Sequence, residues 1–320
     1  MFEIRMHNLF FNQKLIIIFL LLNTQYSILN TYSQNQKISF WTPSSEYNPK
    51  RVKLLSFSLA GAYTLSMTGL YQLWYKDYPS SGFHFFNDGS EWLQLDKAGH
   101  IATTYYVGKW GISLFEWTGM NQKKANWYGG TLGLAFLTSI EIFDGFSSQW
   151  GFSVSDMAFN LGGTTLLMSQ QLLWNEQRIT FKLSYHNSDF ARYRPDQFGT
   201  TFPEKLVKDY NGHTVWFSGN IKSFLKKDSK FPAWLNLAAG YGVDGLTGAN
   251  ENVSEYNGKP VPHFERTRQI YIAPDIDLTR IKTKSKFLQS IFGAFGFIKF
   301  PAPAIEFNSA DKVKFHWFYF

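Results

Sequence analysis

The chain of 320 residues contains no cysteine. That excludes disulfides, thiolate metal sites, a cysteine nucleophile and lipid attachment through a cysteine, so an oxidising compartment is allowed but not exploited. Motifs for common chemistries are also missing: there is no phosphate-binding loop, no H-E-x-x-H and no G-x-S-x-G. No internal repeat or low-complexity tract is present. The apolar run near the start, Leu15–Leu22, is eight residues long, against the roughly 20 that span a bilayer as a helix.

That run does have the surroundings of an export signal. Arg5 and Lys14 precede it, and polar, small-residue sequence follows to Thr31-Tyr32-Ser33-Gln34. A positive start, a short apolar stretch and small residues near a cut predict a signal peptide over 1–33, cleaved near Ser33. The competing reading is an uncleaved anchor. The expected home of the mature protein is the cell envelope, in the periplasm or at the outer membrane. The net charge is +7, from 31 basic and 24 acidic residues. In an exported protein this favours anionic lipid headgroups or acidic glycans over nucleic acid, although the basic residues are scattered as on any solvated surface. Aromatic residues make up 19% of the chain. Large amphipathic rings are favoured where a surface meets a membrane interface, so membrane lipid or envelope proteins are the expected partners. The sequence sets no oligomeric state.

The pattern along the chain predicts an α+β protein: an N-terminal four-helix apolar unit followed by a C-terminal antiparallel β-rich region. After a polar linker over 34–50, helices are expected at 54–74, 93–117, 125–142 and 154–174, within a helical domain over 51–177. The first stretch is uncharged for 21 residues but interrupted by Ser, Thr and Gly, which suits helix–helix packing better than a membrane span. From Arg178 onward the period becomes two. Strands are expected at 180–186, 213–221, 234–243, 268–278 and 312–320, each with one apolar and one wetter face. Five strands suit a half-exposed sheet better than a membrane barrel, which needs at least eight. Lys282, Lys284 and Lys286 followed by apolar residues to Phe300 read equally as an interfacial or a core helix.

Charges inside the apolar helices are the informative feature. Asp96 and His100 share a helix face, with Lys97 beside them. Glu141 and Asp144 close the third helix; Asp156 and Asn160 are again four apart. A buried charge costs several kcal/mol unless paired or hydrogen-bonded. Asp96, Lys97, His100, Glu141, Asp144, Asp156 and Asn160 are therefore expected to converge. Ser153 or Ser155 is the expected N-cap of the fourth helix. Trp150, in the aromatic loop 143–152, is placed to contact lipid or a partner, or to form a lid, and loop 79–92 has the same ambiguity.

The run Asp96-Lys97-x-x-His100, Glu141-x-x-Asp144-Gly145-Phe146-Ser147, Trp150-Gly151-Phe152-Ser153 and Asp156-x-x-x-Asn160-x-Gly162-Gly163 resembles the YfiM-like family of predicted periplasmic lipoproteins. It is more distantly similar to the VanZ-like membrane proteins. The resemblance covers about residues 90–175. It implies an envelope location and a shared polar core, and it supplies no reaction. The missing cysteine departs from the lipoprotein description, and the region after 178 is extra. Three readings of the cluster stay open. It fixes helix register; or His100 acts as general acid or base with Asp96, Asp156 or Glu141, while Lys97 binds an anionic group; or His100, Asp96, Glu141, Asp144 and Asp156 supply metal ligands. No cofactor is required, and the donor set admits a divalent metal. The leading expectation is a membrane-associated structural or assembly component. The alternative is a hydrolase or transferase acting on a lipid-linked or anionic envelope substrate.

Overall fold

The computed structural model describes residues 40–310 and 312–320. The expected signal peptide and the first part of the linker lie outside the described residues. Helix α1 (Pro49–Leu70) starts ahead of the expected stretch because its cap is upstream: the Asn48 side chain accepts from the Lys50 and Arg51 amides at 3.1 Å, and Pro49 takes the first helical position. It runs into a π-helical turn at Tyr71–Tyr75. Only Leu55 and Gly69 of α1 are buried. Among the described residues, no helix is long and apolar enough to cross a membrane.

A two-residue strand β1 (Phe85–Phe86) leads to the central helix α2 (Leu95–Trp117). Around it pack α3 (Gln122–Gly130), α4 (Leu132–Gly145) and α5 (Val154–Trp174), the last preceded by β2 (Phe152–Ser153), which pairs with β1 in parallel. The expected third helix is thus two, broken at Thr131. The packed helices are not the four expected: α1 stays peripheral, and α3, α4 and α5 surround α2. Glycine explains how closely they approach. A Cβ on Gly129 would lie 2.2 Å from the Ile112 amide nitrogen, and one on Gly163 would lie 2.2 Å from the Ile101 carbonyl.

The C-terminal half is one six-stranded antiparallel sheet in the order β10-β9-β8-β5-β4-β3. Its strands are β3 (Ile179–Tyr185), β4 (His213–Asn220), β5 (Leu235–Asp244), β8 (Thr267–Ile276), β9 (Ala302–Asn308) and β10 (Lys312–Tyr319). The connections carry short helices α6 (Pro195–Phe198) and α7 (Phe202–Lys208), the small hairpin β6 (Glu255–Tyr256) with β7 (Lys259–Pro260), and α8 (Lys286–Phe295). Strand β9 escaped sequence reading because Pro301 precedes it and Pro303 interrupts it; Pro303 sits where the β9–β10 register shifts. The sequence Gly240-Tyr241-Gly242-Val243-Asp244-Gly245 has dinucleotide-loop spacing, but most of it lies within β5 and no helix follows it directly.

The sheet inverts the expected polarity. Its wetter face is buried: Lys182, Ser218, Asn236, Asp275 and Glu306 are all almost inaccessible. Most of them find polar partners within that face. Lys182 Nζ donates to the Ile276 carbonyl at 2.9 Å and lies 3.5 Å from Asp275, while Ser218 donates to Asp275 at 2.7 Å. His316 Nε2 meets Glu306 at 2.6 Å. The sheet curls enough for Tyr319 of β10 to reach Thr214 of β4 at 3.0 Å. Residues 297–299 pair with the β3 edge through Leu183 at 2.7 and 2.9 Å. The apolar face points outward. At the β3–β4 end it is covered by α2, where Tyr105 packs edge-on against Phe181 and the Tyr106 hydroxyl donates to the Phe181 carbonyl. Towards β8–β10, two register rows stay exposed: Ile272, Ile305 and Phe315 in one, Ile270, Phe307 and Val313 in the other.

Candidate functional site

The polar residues of α2, α4 and α5 meet in one place. Lys97 is fully buried, and its Nζ lies 2.8 Å from Asp88 Oδ2, 2.9 Å from Asp96 Oδ2 and 2.7 Å from Asp156 Oδ1. Burial works against the ammonium, but the surrounding acids outweigh it and hold its pKa above the usual lysine value. Beside this centre, His100 Nδ1 is 3.0 Å from Asn160 Oδ1 and 3.9 Å from Glu141 Oε1, and its Nε2 is 3.7 Å from Asp156 Oδ2. The Ser153 amide donates to Glu141 Oε2 at 3.1 Å.

Local sequence places each of these groups. Ser153 is the α5 N-cap, its hydroxyl accepting from the Asp156 amide at 3.0 Å. That fixes Asp156 in the first turn and Asn160 one turn on. The same hydroxyl donates to Asp88 at 2.6 Å, as Ser155 does at 2.7 Å. Trp92, Leu93 and Gln94 all adopt left-handed φ values of 50–67°, an arrangement costing on the order of 1 kcal/mol or more per residue. It is held by the Trp92 amide on the Ala249 carbonyl at 2.8 Å, by the Tyr241 hydroxyl on the Leu93 carbonyl and by Arg268 on Gln94 Oε1 at 2.8 Å. This kink aims Asp96 and Lys97 inward, so the β domain helps to position the cluster.

The acids titrate differently because their surroundings differ. Burial, aided by Asp156, pushes the Glu141 carboxyl up to about 8. Burial also pushes Asp156 up to about 6, with His100 and Lys97 opposing it, and raises Asp96 against the pull of Lys97. Asp88 is partly buried, yet hydrogen bonds involving Asp156, Lys97 and the two serines hold it below the usual carboxylate range. Asp88, Asp96 and Asp156 thus share a single ammonium, Glu141 has no ammonium or guanidinium partner among the described residues, and the partly open imidazole of His100 leads from Glu141 towards the surface.

Asp144 and Trp150 stand apart from this group. Asp144 accepts from the Tyr75 hydroxyl at 2.6 Å, and burial pushes its carboxyl up to about 6. Trp150 packs edge-on against Tyr75 and Tyr78, so it joins the helical core to the turn after α1. Sequence reasoning missed Asp88. It lies in Asn87-Asp88-Gly89-Ser90, which reads as an ordinary turn, and only the β1–β2 pairing carries it to the cluster. Among the described residues, two donor groups have metal-ligand spacing: His100, Glu141 and Asp156, and Asp88, Asp96 and Asp156, each with its atoms within 4.8 Å of one another.

Residues 82–171 match the model of a family described as predicted periplasmic lipoprotein (DUF2279). The matched segment runs from before Asp88 to beyond Asn160, so it contains every member of the cluster. The similarity supports a periplasmic envelope location, although these residues include no cysteine to carry a lipid. No curated protein and no solved structure matches the chain.

Proposed function

We propose that the protein is a membrane-associated envelope component that rests on a lipid surface through the β8–β10 part of the outward face of its sheet, while the β3–β4 part of that face carries the helical half as a rigid, register-locked unit. The observation that carries this is the inverted polarity of the sheet. A soluble sheet buries its apolar face and wets the other. Here the charged face is enclosed, while Ile270, Ile272, Ile305, Phe307, Val313 and Phe315 are exposed, and Trp317 next to them is 75% accessible. Each large apolar side chain withdrawn from water contributes roughly 1.5–3 kcal/mol when fully buried, so two half-exposed rows supply enough for stable association. Separately, helix α8 carries exposed Phe287 and Leu288 behind Lys282, Lys284 and Lys286, a combination that suits an anionic headgroup layer. The finer kinship with YfiM-like and VanZ-like proteins belongs to this proposal and rests on the Asp96–Asn160 motif alone.

Flotation with phosphatidylethanolamine–phosphatidylglycerol vesicles tests it. The protein is expected to float with the vesicles, and Ile272→Ser/Phe315→Ser/Trp317→Ser to stay in the dense fraction with an unchanged melting temperature. Equal flotation of both proteins, or none of the parent, refutes the reading.

A second reading, acid–base chemistry on a lipid-linked or anionic substrate, is favoured by one arrangement: Glu141, its carboxyl pushed up to about 8 by burial, lies 3.9 Å from the partly open His100. Loss of cellular function in His100→Gln with stability retained would support it.

A further inference from the structure

The cluster contains two donor centres, and only one holds a cation of the protein's own. Asp88, Asp96 and Asp156 surround Lys97 Nζ, whose ammonium fills that centre. The other centre joins one imidazole nitrogen of His100 to carboxylate oxygens of Glu141 and Asp156, all within 4.8 Å of one another. Among the described residues, no lysine or arginine pairs with Glu141. The Glu141 side chain is 1% exposed; one of its oxygens takes the Ser153 amide, and the other, Oε1, has no hydrogen-bond donor although it faces His100 at 3.9 Å. A buried carboxyl oxygen left without a partner costs about 1–3 kcal/mol, which a proton on the carboxyl offsets and a cation bound between it and His100 would offset in its place.

The imidazole is oriented to supply a lone pair. In the neutral imidazole, Asn160 Oδ1 at 3.0 Å accepts the Nδ1 proton and the lone pair sits on Nε2, 3.7 Å from Asp156 Oδ2. A lone pair facing a carboxylate is repulsive unless a positive species lies between them. A second group that fixes the tautomer of a histidine is also what metal ligands of this type require.

We propose that His100, Glu141 and Asp156 bind one divalent transition-metal ion, of the Mn2+ or Zn2+ class, with Asn160 as the residue that positions the imidazole. One nitrogen with two carboxylates suits these ions better than Ca2+ or Mg2+, which prefer all-oxygen shells. The partly open edge of His100 provides the entry path, and three protein ligands leave a coordination position for water. The site is separate from the lipid-facing sheet and does not depend on the membrane reading.

The test uses the whole chain, treated with a chelator and dialysed. Mn2+ binding is followed by the loss of the free-ion electron paramagnetic resonance signal, Zn2+ binding by calorimetry, and the melting temperature is recorded with each. Binding of one ion per chain with a rise in melting temperature is expected. Glu141→Gln and His100→Gln should each weaken binding at least tenfold, Asn160→Leu by about 10–100-fold, while Asp144→Asn leaves it unchanged. His100 is partly exposed, so its variant keeps the test decisive if Glu141→Gln fails to fold. No saturable binding below about 1 mM, unchanged affinity in the His100 and Glu141 variants, or Ca2+ bound as tightly as Mn2+ would each overturn the proposal.

Discussion

Replacing Lys97 with Met removes the ammonium at the centre of the cluster and keeps most of the volume of its stem. Three carboxylates, from Asp88, Asp96 and Asp156, would then face one another within 4.8 Å without the cation that now lies 2.7–2.9 Å from each. Lys97 is inaccessible, so water does not take its place. Removing one partner of a buried ion pair typically costs about 3–5 kcal/mol. At roughly 2 °C per kcal/mol for a chain of this size, the melting temperature should fall by about 6–10 °C at pH 7.5. The sign of the pH effect follows from the acids. Asp96 and Asp156 are already raised above their usual values by burial, and losing Lys97 raises them further. Acidification to pH 5 then protonates them in the folded variant and relieves the repulsion. The gap between variant and parent should therefore narrow at pH 5, and Lys97→Met/Asp156→Asn should recover part of the loss at pH 7.5. Urea denaturation of the three proteins at both pH values measures this. A Lys97→Met loss under about 1 kcal/mol, or a gap independent of pH, would show that the carboxylates do not depend on this ammonium.

Other consequences follow from the same geometry. In chelated buffer, Glu141 has its carboxyl raised by burial from 4.5 to about 8, so its contribution to stability is complete below pH 4.5 and declines as pH rises through 8. Glu141→Gln abolishes that decline and should gain on the parent by up to roughly 3 kcal/mol at pH 7, read as a flatter stability–pH curve. Gly129→Ala would push a Cβ to 2.2 Å from the Ile112 amide nitrogen and should cost about 2 kcal/mol or more by forcing α3 off α2. Gly61→Ala, on α1 with nothing within 4 Å of its Cβ, should instead stabilise the chain by about 0.5–1 kcal/mol. Thermal melts of the two variants separate these outcomes.

Much of this architecture was legible along the chain. The change of period near residue 178, the cap at Ser153 and the four-residue spacing of the polar pairs are local properties, set by propensity and hydrogen bonding within a few residues. So was the expectation that greasy helices cannot leave Asp96, Lys97, His100, Glu141, Asp156 and Asn160 scattered, because the penalty for an isolated buried charge does not depend on the fold.

The remainder was decided in three dimensions. Asp88 entered the cluster through a strand pairing 67 residues away in sequence, Phe85 with Phe152, which no local pattern encodes. Asp144 left it because Tyr75, on another element, was nearer. Alternation showed that each strand has two unlike faces, but a period of two says nothing about which one turns inward. That depended on the curl of the whole sheet, which encloses Lys182 with Asp275 and Glu306 with His316 and leaves Ile272, Ile305 and Phe315 outside.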